Sequence, residues 1–174
     1  IAVIAYDGIS PFHLSVPCIV FGDDLLRLGA PRYELRVCAE RTGAVSTLSG
    51  FAIQVAHDLS ALEQADTVII PSWSSPDAQP SSALLAALQQ AHARGARVVG
   101  LCLGTFVLAQ AGLLKGRSAS THWAWADDFA KDHPYVKLDR QALYTDDGNI
   151  TTSAGTAAAI DCCLHLIRVD HGAE

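Results

Sequence analysis

The chain has 174 residues, half of them hydrophobic and 17% charged, with a formal net charge of −6. That is enough for one domain with a complete core, and without a cluster of lysines and arginines it argues against nucleic-acid binding by these residues alone. Five cysteines, odd in number and without a Cys-x-x-Cys pair, argue against a disulfide framework or a zinc ribbon and suit a reducing cytoplasm.

The chain opens in an apolar strand, Ile1 to Tyr6. A helix follows from about Leu14 to Leu28, then a strand from Glu34 to Ala39 and a weaker pair of short strands near Ala44–Leu48 and Ala52–Val55. Thr67 to Pro71 reads as a core strand. After a Ser/Pro-rich loop, Ser81 to Arg94 carries alanines and leucines at helical spacing and stops at Gly95. Arg97 to Leu101 re-enters the sheet and runs into a helix that closes around Leu113–Gly116. Ser118 to Ser120 is a short strand, Thr121 an N-cap for a helix through Lys131, and Leu143 to Thr151 a hairpin turning at Asp147-Gly148. A last helix, about Thr156 to Val169, places Ile160, Cys163, Leu164 and Ile167 on one apolar stripe.

Strands alternating with helices predict an α/β three-layer sandwich, flavodoxin-like in type, with a mainly parallel sheet covered on both faces. The uncharged run Val98 to Leu114 is too short and too glycine-interrupted for a bilayer span, so no membrane association is expected. Both ends read as cut, because the chain starts in a strand without a methionine and stops just after an apolar helix.

The most informative stretch is Gly100-Leu101-Cys102-Leu103-Gly104, a strand-to-helix elbow with a thiol at its apex. Glycines on both sides relieve the crowding of the reversal, and helix amides without intrahelical partners face the sulfur. The expectation is an acidified thiol, suited to nucleophilic or anion-sensing chemistry. In an open α/β sheet, ligands bind beyond the carboxyl ends of the strands. Several other groups fall at such ends: His122 after the short strand, as a proton acceptor; His13 after strand one; and Ser72 and Trp73, whose backbone could add an amide to an anion hole. The Leu103 amide and the small residues before the last helix, Gly155 among them, complete the set. Cys18, Cys38, Cys162 and Cys163 read as packing residues. His57, His92, His133, His165 and His171 read as solvated, as do the acidic pairs Asp23-Asp24, Asp127-Asp128 and Asp146-Asp147. Cys102, His122 and His13 could hold a metal only by converging, which no spacing demands, so neither metal nor cofactor is expected.

Gly100 to Gly104, Leu113-Leu114-Lys115-Gly116-Arg117 and Thr121-His122-Trp123 resemble the class I glutamine amidotransferase-like (ThiJ/PfpI) superfamily. With Ser10 to Pro17, Ile70 to Trp73 and Ser153 to Asp161, the chain is similar to the N-terminal domain of AraC-type transcription regulators. The resemblance implies a nucleophile-elbow cysteine at Cys102 and a histidine partner at His122. It further implies a homodimer that senses a small-molecule effector and touches DNA only through a helix-turn-helix domain following in the full-length protein. Many members place a carboxylate after strand one; here His13 stands there. An imidazole cannot orient and charge-stabilise a base as a carboxylate does, a loss worth on the order of 10⁴-fold in the serine-hydrolase template. It can still bind an anionic or carbonyl ligand. The alternative is a cysteine-dependent hydrolase or hydratase of the isonitrile hydratase type.

Overall fold

The computed structural model describes residues 1–22 and 33–172. Its central sheet has six strands, β1 (Ala2–Ile4), β2 (Arg36–Cys38), β5 (Thr67–Ile70), β6 (Arg97–Leu101), β9 (Tyr144–Asp147) and β10 (Ile150–Ser153). Their spatial order is β2-β1-β5-β6-β10-β9. All neighbours run parallel except β9, which is antiparallel to β10. Strands buried on both sides read as continuous apolar runs rather than alternating ones, as Thr-Val-Ile-Ile of β5 and Arg-Val-Val-Gly-Leu of β6 do. Two satellite pairs flank the sheet: β3 (Gly43–Ser46) with β4 (Ala52–Val55), and β7 (Ser118–Ala119) with β8 (Lys137–Leu138).

Successive residues of each strand feed opposite layers. Ile4, Val68, Ile70 and Val98 pack under α2 (Ser82–Ala93), α3 (Gly104–Gln110) and α4 (Ala126–Asp132), where Leu84, Leu88, Phe106 and Phe129 are fully covered. Val3, Ile69, Val99 and Leu101 pack under α1 (Pro11–Gly22) and α5 (Ala157–His171), against Val16, Phe21, Cys162, Cys163 and Leu166. The result is the three-layer α/β sandwich expected.

Several local expectations are corrected. α1 begins three residues early, because Pro11 is pre-set for the first helical position, where its missing N–H leaves nothing unpaired; the expected continuation through Leu28, with Asp23-Asp24, lies outside the described residues. α3 ends at Gln110 and gives way to turns through Gly116. The hairpin turns at Gly148-Asn149, one residue on, since Asp147 pairs with Ile150 and Gly148 takes φ +71°. Asp147 is instead bonded to the Ser118 amide and Arg117, and Asp146 to His165 Nε2 at 2.8 Å, so this acidic pair is not simply solvated. His133 likewise meets Tyr135 Oη at 2.9 Å and packs against Phe129. In α5 the buried positions are Ala158, Ala159, Cys162, Cys163 and Leu166, while Ile160 and Leu164 are each 39% exposed. The helix is rotated about a third of a turn from the expected stripe, which brings the small Ala and Cys side chains onto the sheet.

Candidate functional site

β6 ends at Leu101 and its ladder runs one residue further, Cys102 N–H donating to Ser153 O at 3.0 Å. Cys102 itself has φ +55°, a conformation that costs a non-glycine residue of order 1–3 kcal/mol and persists only when its surroundings over-determine it. They do so here. A Cβ on Gly155 would lie 2.4 Å from Cys102 Cβ, and one on Gly104 would lie 2.4 Å from Ile70 O. Glycine is required at both places for the elbow to close.

A hydrogen-bond web fixes the next loop against the elbow. Thr121 Oγ1 donates to Cys102 O (3.1 Å), Thr105 Oγ1 donates to Ser120 O (2.9 Å), and Ser120 N–H donates to Thr152 Oγ1 (2.7 Å). Thr121 is therefore spent on the elbow rather than on capping. The cap of the short 3-10 turn Trp123–Trp125 ahead of α4 is His122, whose Nδ1 accepts from Ala124 N–H at 3.2 Å. β7 belongs to a satellite pair, so His122 comes from beside the main sheet rather than from one of its strand ends.

These elements converge on a hollow of about 220 Å³ at the carboxyl lip of the sheet. Cys102, Leu103, His13, His122, Ser72 and Trp73 all line it, joined by Tyr6, Trp125 and Thr156, which sequence reasoning passed over. Tyr6 follows β1 by two residues and was findable from its place beyond a strand's carboxyl end; Trp125 and Thr156 gave no such signal. Gly155 does not line the hollow. Its part is steric, pressed against Cys102, and the neighbouring Thr156 (φ +46°) supplies the second amide at the sulfur. Trp73 is a fixed wall, its Nε1–H donating to Ala78 O at 3.0 Å and its ring 4.8 Å from that of Tyr6.

The thiol is not acidified. Cys102 is 4% exposed, and burial pushes its pKa above the ordinary value despite the Ser72 hydroxyl and the Leu103 and Thr156 amides, which pull it down. Burial raises Tyr6 as well, to about 12. His13 is lowered, by burial first and by the positive charge available on His122 second. Both of its ring nitrogens are buried and have no hydrogen-bond partner among the described residues. The accepting Nδ1 of His122 leaves the hydrogen of the neutral ring on Nε2, so the free nitrogen is a donor rather than a base. Among the described residues, no carboxylate lines the hollow, and no three His, Cys, Asp or Glu side chains come together as a metal site.

The model of the DJ-1/PfpI family matches residues 1–169. Over 148 residues the chain is 32% identical to the HTH-type transcriptional regulator CdhR of Pseudomonas aeruginosa, covering 85% of this chain and 44% of that protein. It is 41% identical over 80 residues to an isonitrile hydratase of Pseudomonas putida, covering 46% of this chain and 33% of that protein. A solved AraC family transcriptional regulator from Pseudomonas putida superposes with a TM-score of 0.82 at 20% identity, covering 98% of this chain and 91% of that one. The chain thus spans less than half the length of either curated relative.

Proposed function

The chain belongs to the DJ-1/PfpI family, and from that membership we propose that it is the sensing domain of a cytoplasmic, homodimeric transcription regulator. A small metabolite binds in the hollow between Cys102, His122, His13 and Trp73. DNA is read by a helix-turn-helix domain beyond residue 174, and the effector acts by favouring one of two dimer arrangements. The observation that carries this reading is a formed hollow with two imidazoles, a buried, un-ionised sulfur and, among the described residues, no carboxylate: equipment for binding, without a base held ready to activate the thiol. The likeness to CdhR supports the regulator half.

The test has two parts. Metabolites that raise the melting temperature of this chain should also slow alkylation of Cys102; stabilising ligands that leave that rate unchanged overturn the site. The coding sequence past residue 174 decides the rest, a basic helix-turn-helix segment supporting a regulator and a stop codon overturning it.

The likeness to an isonitrile hydratase favours a second reading, a cysteine-dependent hydrolase or hydratase. Cys102 would attack an electrophilic carbon and His122 would carry the proton. The cap on His122 Nδ1 and the raised thiol both weigh against it. Turnover of an isonitrile that disappears in Cys102→Ser would reinstate it.

A further inference from the structure

Four titratable groups face the hollow from four places in the fold: Tyr6 after β1, His13 in the first turn of α1, Cys102 at the elbow, and His122 in the loop after β7. Among the described residues, every other polar side chain in its lining is a serine, a threonine or a tryptophan, and no lysine, arginine, aspartate or glutamate lines it. The nearest acid along the chain, Asp7, is turned to β3, where the Ser46 amide and hydroxyl donate to its Oδ1 at 2.9 and 2.8 Å.

The two sulfur and oxygen acids cannot supply negative charge near neutrality, because burial holds both of them protonated. The His13 imidazole can supply positive charge. The potential inside the hollow can therefore rise on titration but cannot fall, which disfavours a cationic ligand despite the aromatic walls. His13 contributes the second observation. Among the described residues neither buried ring nitrogen has a partner, which leaves a desolvation penalty unrelieved; the ring borders the hollow, so turning one nitrogen toward an incoming group relieves it.

We infer that the hollow takes a small carboxylate, which binds beside His13 and draws a proton from solvent onto that imidazole. The inference rests on the hollow being a ligand site, and it chooses an anion over a neutral carbonyl compound. No bond other than N–H is made: the proton comes from buffer, the imidazole becomes imidazolium, and the pair enters and leaves together. The free ring sits below its ordinary 6.5, and the bound anion lifts it. Between those two values the affinity falls about tenfold per pH unit as pH rises. A neutral ligand of the same shape shows no such slope.

Benzoate and benzamide, equal in size and differing in charge, make the test by titration calorimetry in buffers of different ionisation heat. Benzoate is expected to bind with uptake of close to one proton at about pH 6.5 and to weaken at least tenfold by about pH 8, while benzamide binds without either effect. His13→Gln, which keeps polarity but cannot charge, should abolish the proton uptake, and His57→Gln, at an exposed imidazole outside the lining, should keep it. Should His13→Gln fail to fold, the proton count in the parent protein still decides. Benzamide binding as tightly as benzoate, or benzoate binding without proton uptake, overturns the anion and leaves the sensing reading standing. If neither compound binds nor slows Cys102 alkylation, the inference falls and the ligand site falls with it.

Discussion

At the scale of single residues, Cys102 is held by its neighbours rather than by its own preference. The elbow was legible because glycines bracket a cysteine at the end of an apolar strand, and that pattern has few other uses. Its acidity was not legible, because the balance between burial and three donors is a property of the closed site. The two amides and the Ser72 hydroxyl pull the thiol down, yet desolvation wins. Alkylation of Cys102 by iodoacetamide should therefore show a pH midpoint above the ordinary thiol value of about 8.5. Ser72→Ala, by removing a donor to the thiolate, should move that midpoint higher still, and Cys102→Ser should remove the adduct from intact mass. A midpoint below the ordinary value, or one that falls in Ser72→Ala, contradicts the arrangement.

At the scale of elements, α5 departs furthest from its expected face. Ile160 and Leu164 fall on the apolar stripe that periodicity marks out, but a stripe of alanines and cysteines one third of a turn away fits more closely on the sheet, and periodicity weighs hydrophobicity rather than fit. The same limit hid the loop holding His122: Thr121 has the composition of an N-cap, and only the folded chain shows its hydroxyl turned to Cys102 O. The last turn of α5 is fastened by Asp170, whose Oδ1 accepts from Arg97 Nη2 at 2.6 Å while its Oδ2 accepts from Tyr33 Oη at 3.1 Å. Burial alone would raise this carboxyl; the Arg97 guanidinium and the Tyr33 hydroxyl hold it below 3.8. A carboxylate with a depressed pKa in the folded protein stabilises it above the unfolded value and ceases to do so as pH falls through the folded one. Asp170→Asn should thus cost about 1 kcal/mol in denaturant unfolding at neutral pH. It should also flatten the loss of stability that the parent protein shows in acid below 3.8.

At the scale of the whole molecule, the alternation of apolar strands with helices was enough to give the layers, the parallel sheet and the elbow's place at its lip. The β3 and β4 pair was legible as two short strands, whereas strand order and the pairing of β7 with β8 needed contacts that no local pattern carries. The charge is equally a property of the whole: at −6, these 174 residues should leave a random duplex unshifted in a gel even at about 50 mM salt, where phosphate contacts are strongest. Retardation of the duplex by this chain alone would refute the assignment of DNA reading to another domain. One arrangement gives the molecule a mechanical character. β6 meets α5 at both of its ends, through Gly155 and Thr156 against Cys102 at one and through Arg97 and Asp170 at the other. Strand and helix form a closed frame, its strut roughly 16 Å long at about 3.3 Å per residue. Anything that wedges the sulfur outward therefore presses on Gly155 and Thr156, and so on the start of the helix whose other end Arg97 holds.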